Sequence, residues 1–104
     1  MSRGRAPHYP LHAVKAAFSS VAMLNRTMAA VIGADDAGID DQAVIDVIAG
    51  LRSSDFEKSM PSLNDETVRQ DVYKPVIRGR EFYVKFTLDS RGALLLISFK
   101  ENGP

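Results

Sequence analysis

The chain contains no cysteine. Disulfides, thiolate metal centres and cysteine nucleophiles are thereby excluded, and the fold has to rest on its core. Long hydrophobic runs are missing too: "ALLLISF" at 93–99 is the longest, far short of the roughly 20 residues that a membrane span needs. The beginning of the chain lacks the hydrophobic segment of a signal peptide, so a cytoplasmic protein is expected. No Gly-rich phosphate loop follows a strand and no serine sits in a nucleophile elbow, which leaves the ordinary small-molecule enzyme classes unsupported. Net charge is absent as well, because 13 basic and 13 acidic residues cancel. Strong non-specific attraction to nucleic acid is therefore not expected of the whole molecule. Histidine is scarce: His8 and His12 have the spacing of a metal-binding helix face, but Pro10 lies between them and a helix begins only there. Neither a metal site nor a cofactor is expected.

What is present is one domain's worth of chain, 104 residues, enough for a single core and too little for two. Only the ends, "MSRGRAP" and "ENGP", read as loose. The cancelling charges are unevenly placed. Between Asp35 and Glu66 nine acids face two bases, whereas from Arg69 to Lys100 seven bases face three acids. The C-terminal half can therefore meet a polyanion although the whole is neutral.

The first half has helical periodicity. "PLHAVKAAF" places Leu11, Val14 and Phe18 on one stripe after Pro10 in the first turn. A second helix is expected after Thr27 as N-cap, running to Gly38 with Gly33 inside it. Asp40 caps a third, in which Val44, Ile45, Ile48 and Leu51 form the stripe that must pack. Acids near these helix starts are explained by the macrodipole.

After residue 53 the period becomes alternating, so an α+β fold is expected, with N-terminal helices packed on an antiparallel sheet. "EFYVKFTL" and "ALLLISFK" form a hairpin around "DSRG". A four-residue loop sets Phe82 opposite Phe99, Val84 opposite Ile97 and Phe86 opposite Leu95, and makes Tyr83 and Lys100 diagonal neighbours on the polar face. In "RQDVYKP" at 69–75, Val72 and Tyr73 form strand while Arg69, Gln70, Asp71 and Lys74 leave little to bury. Such a strand either lies at a solvated edge or faces a polar, charged ligand.

The ordered blocks "SDFEKSM", "QDVYKP", "EFYVKF" and "LLISFKE", preceded by "APH", "ADDAGID" and "VIAGL", resemble the MqsR (motility quorum-sensing regulator) family of bacterial type II toxins, within the RelE-like superfamily. The resemblance spans almost the whole chain, and residues 1–104 read as one toxin domain. It implies a metal-free, sequence-selective mRNA interferase that arrests translation and growth. It also implies a cognate, MqsA-like antitoxin carrying a zinc-binding domain and a DNA-binding domain. The family's catalytic residues fall on Lys58, Gln70, Tyr83 and Lys100, with Met60, Lys74 and His8 as substrate contacts. Two positions depart from the pattern. Glu57 stands where relatives often carry an aromatic residue, and Lys74 stands where they carry an arginine, which removes a stacking surface and a bidentate contact.

Such a reaction needs a base, charge stabilisation and a proton for the leaving oxygen. The implied roles are Lys58 as base, Lys100 as electrostatic clamp, Tyr83 as donor or positioner and Gln70 as the orienting group. The competing reading is a toxin-like domain that only binds an antitoxin or another protein. Alternation raises one difficulty. In "DFEKSM", Lys58 shares its parity with Phe56 and Met60 and would point to an apolar face unless the strand twists, bulges or lies at an edge.

Overall fold

The computed structural model describes residues 6–63 and 65–103, so the expectation of a loose beginning falls mostly outside the described residues, whereas the described part of the end is not loose: Glu101 pairs with Phe82 and the Asn102 N–H donates to the Glu81 carbonyl at 2.8 Å. Three helices come first: α1 (Leu11–Ala17), α2 (Met28–Asp36) and α3 (Asp41–Ala49). The starts of α2 and α3 are fixed by the capping residues expected from the sequence. The Thr27 hydroxyl accepts the Ala30 N–H and the Asp40 carboxylate accepts the Ala43 N–H, each satisfying a donor that the helix leaves unpaired. Gly38, at φ 76°, ends the second helix in a conformation that suits glycine. Val14, Phe18, Val44, Ile45, Ile48 and Leu51 are all buried in one core.

Five strands follow: β1 (Phe56–Pro61), β2 (Arg69–Tyr73), β3 (Val76–Ile77), β4 (Arg80–Leu88) and β5 (Leu94–Glu101). The pairings between these strands are antiparallel, as expected. Val84 pairs with Tyr73 on one side and Phe99 on the other, so β4 is central, with β2 and then β1 to one side and β5 to the other. Tyr73, Phe82, Val84, Phe86, Leu96 and Phe99 turn toward the helices and complete the core. Helix α2 lies along the outer edge of β5, where the Thr27 N–H donates to the Leu96 carbonyl at 3.0 Å and Leu96 N–H donates to the Asn25 carbonyl at 2.9 Å. This covers an edge that would otherwise offer itself to another chain. Gly33 permits the approach, since a Cβ there would collide with the carbonyl oxygen of Phe99.

The β4–β5 register differs from the four-residue-loop expectation. The loop has three residues, Ser90 to Gly92, with Asp89 N–H donating to the Ala93 carbonyl at 2.8 Å and Gly92 at φ 82°. The Asp89 carboxylate accepts the Arg91 and Ala93 N–H groups, which holds this tighter turn. Leu88 therefore pairs with Leu94 and Phe86 with Leu96. A one-residue bulge at Ile97 then shifts the pairing again, so that Phe82 lies opposite Glu101 and Tyr83 directly opposite Lys100. The bulge has a packing cause. Leu96 and Phe99 both belong to the core although their spacing would place them on opposite faces of a regular strand.

Strand β1 is interrupted in the same way, between Phe56 and Lys58. Phe56 packs edge-on against Tyr73, with ring centroids 5.6 Å apart, and regular alternation would carry Lys58 to the same apolar side. Burying an unpaired ammonium costs far more than losing one ladder step, so Glu57 is extruded as a bulge and Lys58 is exposed.

Candidate active site

The sheet face turned away from the helices can be assembled from the register. Across four strands runs the row Lys58, Val72, Lys85 and Ser98. One step along on β4 and β5 stands the pair Tyr83 and Lys100, and one step the other way on β1 and β2 stands Met60 with Gln70. Lys58, Gln70, Tyr83 and Lys100 thus lie on one face. Strands lie about 4.8 Å apart, so Lys58 and Lys85 are separated by a distance that two long side chains can bridge to a shared ligand.

Strand β2 divides its polar residues between the two faces. Gln70 belongs to the open face, whereas Asp71 is buried on the helical side, where its Oδ2 accepts the Tyr9 N–H at 2.8 Å. The Arg69 carbonyl accepts both the Tyr9 hydroxyl at 2.7 Å and the Thr87 hydroxyl at 2.9 Å. The strand's surplus of polar groups therefore has two causes: one set anchors the N-terminal segment and the other is left to solvent.

Val72 belongs to the open face yet is fully buried. Its cross-strand neighbours are Lys58 and Lys85, whose aliphatic stems can cover it while their ammoniums stay in water. The ring of Tyr83 has the Lys100 Nζ 5.5 Å and the Lys85 Nζ 5.6 Å from its centroid, both within cation–π range. Among the described residues, Lys58, Lys85 and Lys100 form no ion pair, whereas Lys74 has Glu57 at 3.9 Å. The Lys74 backbone N–H donates to the Asp55 carbonyl at 2.8 Å, fastening the end of β2 to the start of β1 beside the bulge. Beneath the face, burial and then the Asp71 carboxylate push the Tyr73 hydroxyl up to about 12.

His8 is exposed and its ring meets Tyr9 edge-on, with centroids 4.8 Å apart. Since Tyr9 is tied to Asp71, this contact does not bring His8 to the four residues of the open face. Met60 and Lys74 flank Gln70 and Lys58 on β1 and β2. Lys85 was absent from the sequence-derived set although its parity with Tyr83 on β4 was sufficient to find it.

Chemically, the face offers three ammoniums, a phenol and an amide above an apolar floor of Val72 and Met60. Ammoniums stabilise phosphate charge, an amide orients a phosphate or base edge, and a phenol can pass a proton to a departing oxygen. Among the described residues, no group of three or more His, Asp or Glu is placed to hold a metal ion.

A family model described as "Motility quorum-sensing regulator, toxin of MqsA" matches residues 6–101. The chain is also 38% identical, over 97 residues, to the mRNA interferase toxin MqsR of Escherichia coli (strain K12). That alignment covers 93% of this chain and 96% of the relative.

Proposed function

The chain belongs to the MqsR toxin family, and on that premise we propose that it is an mRNA interferase whose open sheet face binds and cuts single-stranded mRNA. It is the endoribonuclease toxin of a toxin–antitoxin pair. The observation that carries the site assignment is the convergence of Lys58, Gln70, Tyr83 and Lys100 on one face through two strand bulges.

The reaction is attack of a ribose 2′-oxygen on the adjacent phosphorus. Lys58 takes the 2′-hydroxyl proton while the bond from phosphorus to the 5′-oxygen breaks. Tyr83 delivers a proton to that oxygen, giving a 2′,3′-cyclic phosphate and a 5′-hydroxyl. Lys100 offsets the charge that grows on the non-bridging oxygens, and Gln70 orients the phosphate or a base edge. Met60 supplies an apolar contact for a base, and Lys74 extends the substrate contacts, whereas His8 stays outside the set. The donor set needs no metal ion for any of these steps.

The partner is an MqsA-like antitoxin, and the acidic helical half gives a basic segment of it a place to dock. Both proteins act in the cytoplasm; among the described residues no helix is long and apolar enough to cross a membrane. The test is incubation of the purified protein with a long RNA in EDTA, followed by mapping of the new ends. Cyclic phosphate termini at recurrent sites are expected. Cleavage abolished by EDTA and restored by Mg²⁺ would overturn the metal-free mechanism, and intact RNA under all conditions would leave only a binding role.

A further inference from the structure

Among the described residues, four bases of this fold face a carboxylate: Arg26 faces Asp41, Arg80 faces Glu101, Arg91 faces Asp89 and Lys74 faces Glu57. Lys85 is different. It stands in the middle of the sheet, paired with Val72 on one side and Ser98 on the other, in a position where lysine is a poor strand former. Its stem is accounted for by the buried Val72 beside it. Its ammonium is not, because among the described residues it meets no acid.

Instead the ammonium lies 5.6 Å from the centre of the Tyr83 ring, and the Lys100 ammonium lies 5.5 Å from the same centre. Two like charges drawn to one neutral ring repel each other. An anion with two available oxygens relieves that repulsion, and the non-bridging oxygens of a phosphodiester have this form. Resting on the reading of the face as an mRNA interferase site, we propose that Lys85 is a further substrate-binding residue. Together with Lys100 it grips the scissile phosphate of the RNA over Tyr83. Lys58, two strands away in the same row, is then left to the 2′-hydroxyl of that nucleotide, and the phosphate is held by charges that do not depend on the base.

The probe is a short RNA centred on a mapped cleavage site, with a 2′-deoxy nucleotide there to prevent cutting. A second version carries an uncharged methylphosphonate at the scissile position. Lys85→Gln should weaken binding of the charged probe about four- to tenfold and lower the slope of log Kd against log salt by about 0.7, the share of one phosphate contact on a single strand. Lys15→Gln, which removes a cation from α1, should change neither quantity. The methylphosphonate should weaken wild-type binding but add little to the loss already present in Lys85→Gln.

Equal losses from the methylphosphonate in wild type and variant would overturn the assignment, as would an unchanged salt slope in a folded Lys85→Gln protein. If that variant melts early, Lys85→Met keeps the stem over Val72 and removes only the charge, and the same two readouts decide. Wild-type protein that neither binds nor cuts RNA would remove the interferase reading itself, whereas wild-type cleavage with an indifferent Lys85 removes this inference alone.

Discussion

The Glu57 carboxylate lies 3.9 Å from the Lys74 ammonium, joining the bulge of β1 to the end of β2. Both side chains are partly exposed, at 46% and 33%, so the pair stabilises the fold by no more than about 1 kcal/mol. It is nevertheless close enough to Lys58 to matter for substrate, since Glu57 repels phosphate and occupies a cation that phosphate could use. Glu57→Gln is expected to tighten RNA binding about two- to fivefold and to steepen its salt dependence, with little change in melting temperature. Fluorescence anisotropy at several salt concentrations measures this. An unchanged slope would mean that Lys74 stays off the substrate even when released.

Under the proposed mechanism, Lys58 separates catalysis from binding. Lys58→Ala should lower the single-turnover cleavage rate by roughly 10²- to 10⁴-fold, the usual share of a positioned base, while RNA affinity falls far less. Lys58→Arg should be nearly as poor, because a guanidinium keeps the charge but does not give up its proton. An arginine variant that cuts at the wild-type rate would transfer the base role to another group.

Tyr73 provides a pH dependence of stability. Its hydroxyl, pushed up to about 12 by burial and by Asp71, titrates near 10 in the unfolded chain. The folded protein therefore keeps a proton that the unfolded chain releases. The resulting stability is complete below pH 10 and is lost as pH rises through 12, by about 2 to 3 kcal/mol in total. Urea titrations between pH 9 and 11.5 should show wild type declining more steeply than Tyr73→Phe. Parallel declines would assign the alkaline loss to other groups.

Gly33→Ala tests how α2 meets β5. In an exposed helix this change stabilises by about 1 kcal/mol, but here the added Cβ meets the Phe99 carbonyl. A net loss of about 1 to 3 kcal/mol is expected, lowering the melting temperature by about 4 to 8 °C for each kcal/mol. Cleavage should fall with it, because Phe99 immediately precedes Lys100. A variant as stable as wild type would show that the helix can shift without cost.

Helices and their limits were legible in the sequence because local groups determine them: Thr27 and Asp40 cap, and the apolar stripes recur at helical spacing. The α+β order was legible from the change of period. Tyr83 could be assigned to the polar face because it lies between Phe82 and Val84 on an uninterrupted stretch of β4. Lys100 was read onto the polar face with Tyr83 but as its diagonal neighbour rather than its direct partner, and Lys58 could not be placed by alternation. Each lies beyond a bulge, and a bulge is decided by which side chains the core accepts across strands, a relation between distant residues. The hairpin loop was misjudged by one residue for a related reason: "DSRG" does not announce that Asp89 will pair with Ala93 while its own carboxylate closes the turn.

Those two bulges also determine which changes of length the protein can bear. Upstream of Glu57 and of Ile97 the strands are read in the phase of the core; downstream they are read in the phase of the open face. Loss of one residue at either point would leave the lysines, the glutamine and the tyrosine all in the chain and its composition almost untouched, yet turn Lys58 or Lys100 toward the helices. Substitution at these positions adjusts the enzyme, whereas deletion acts as a frameshift of its surface.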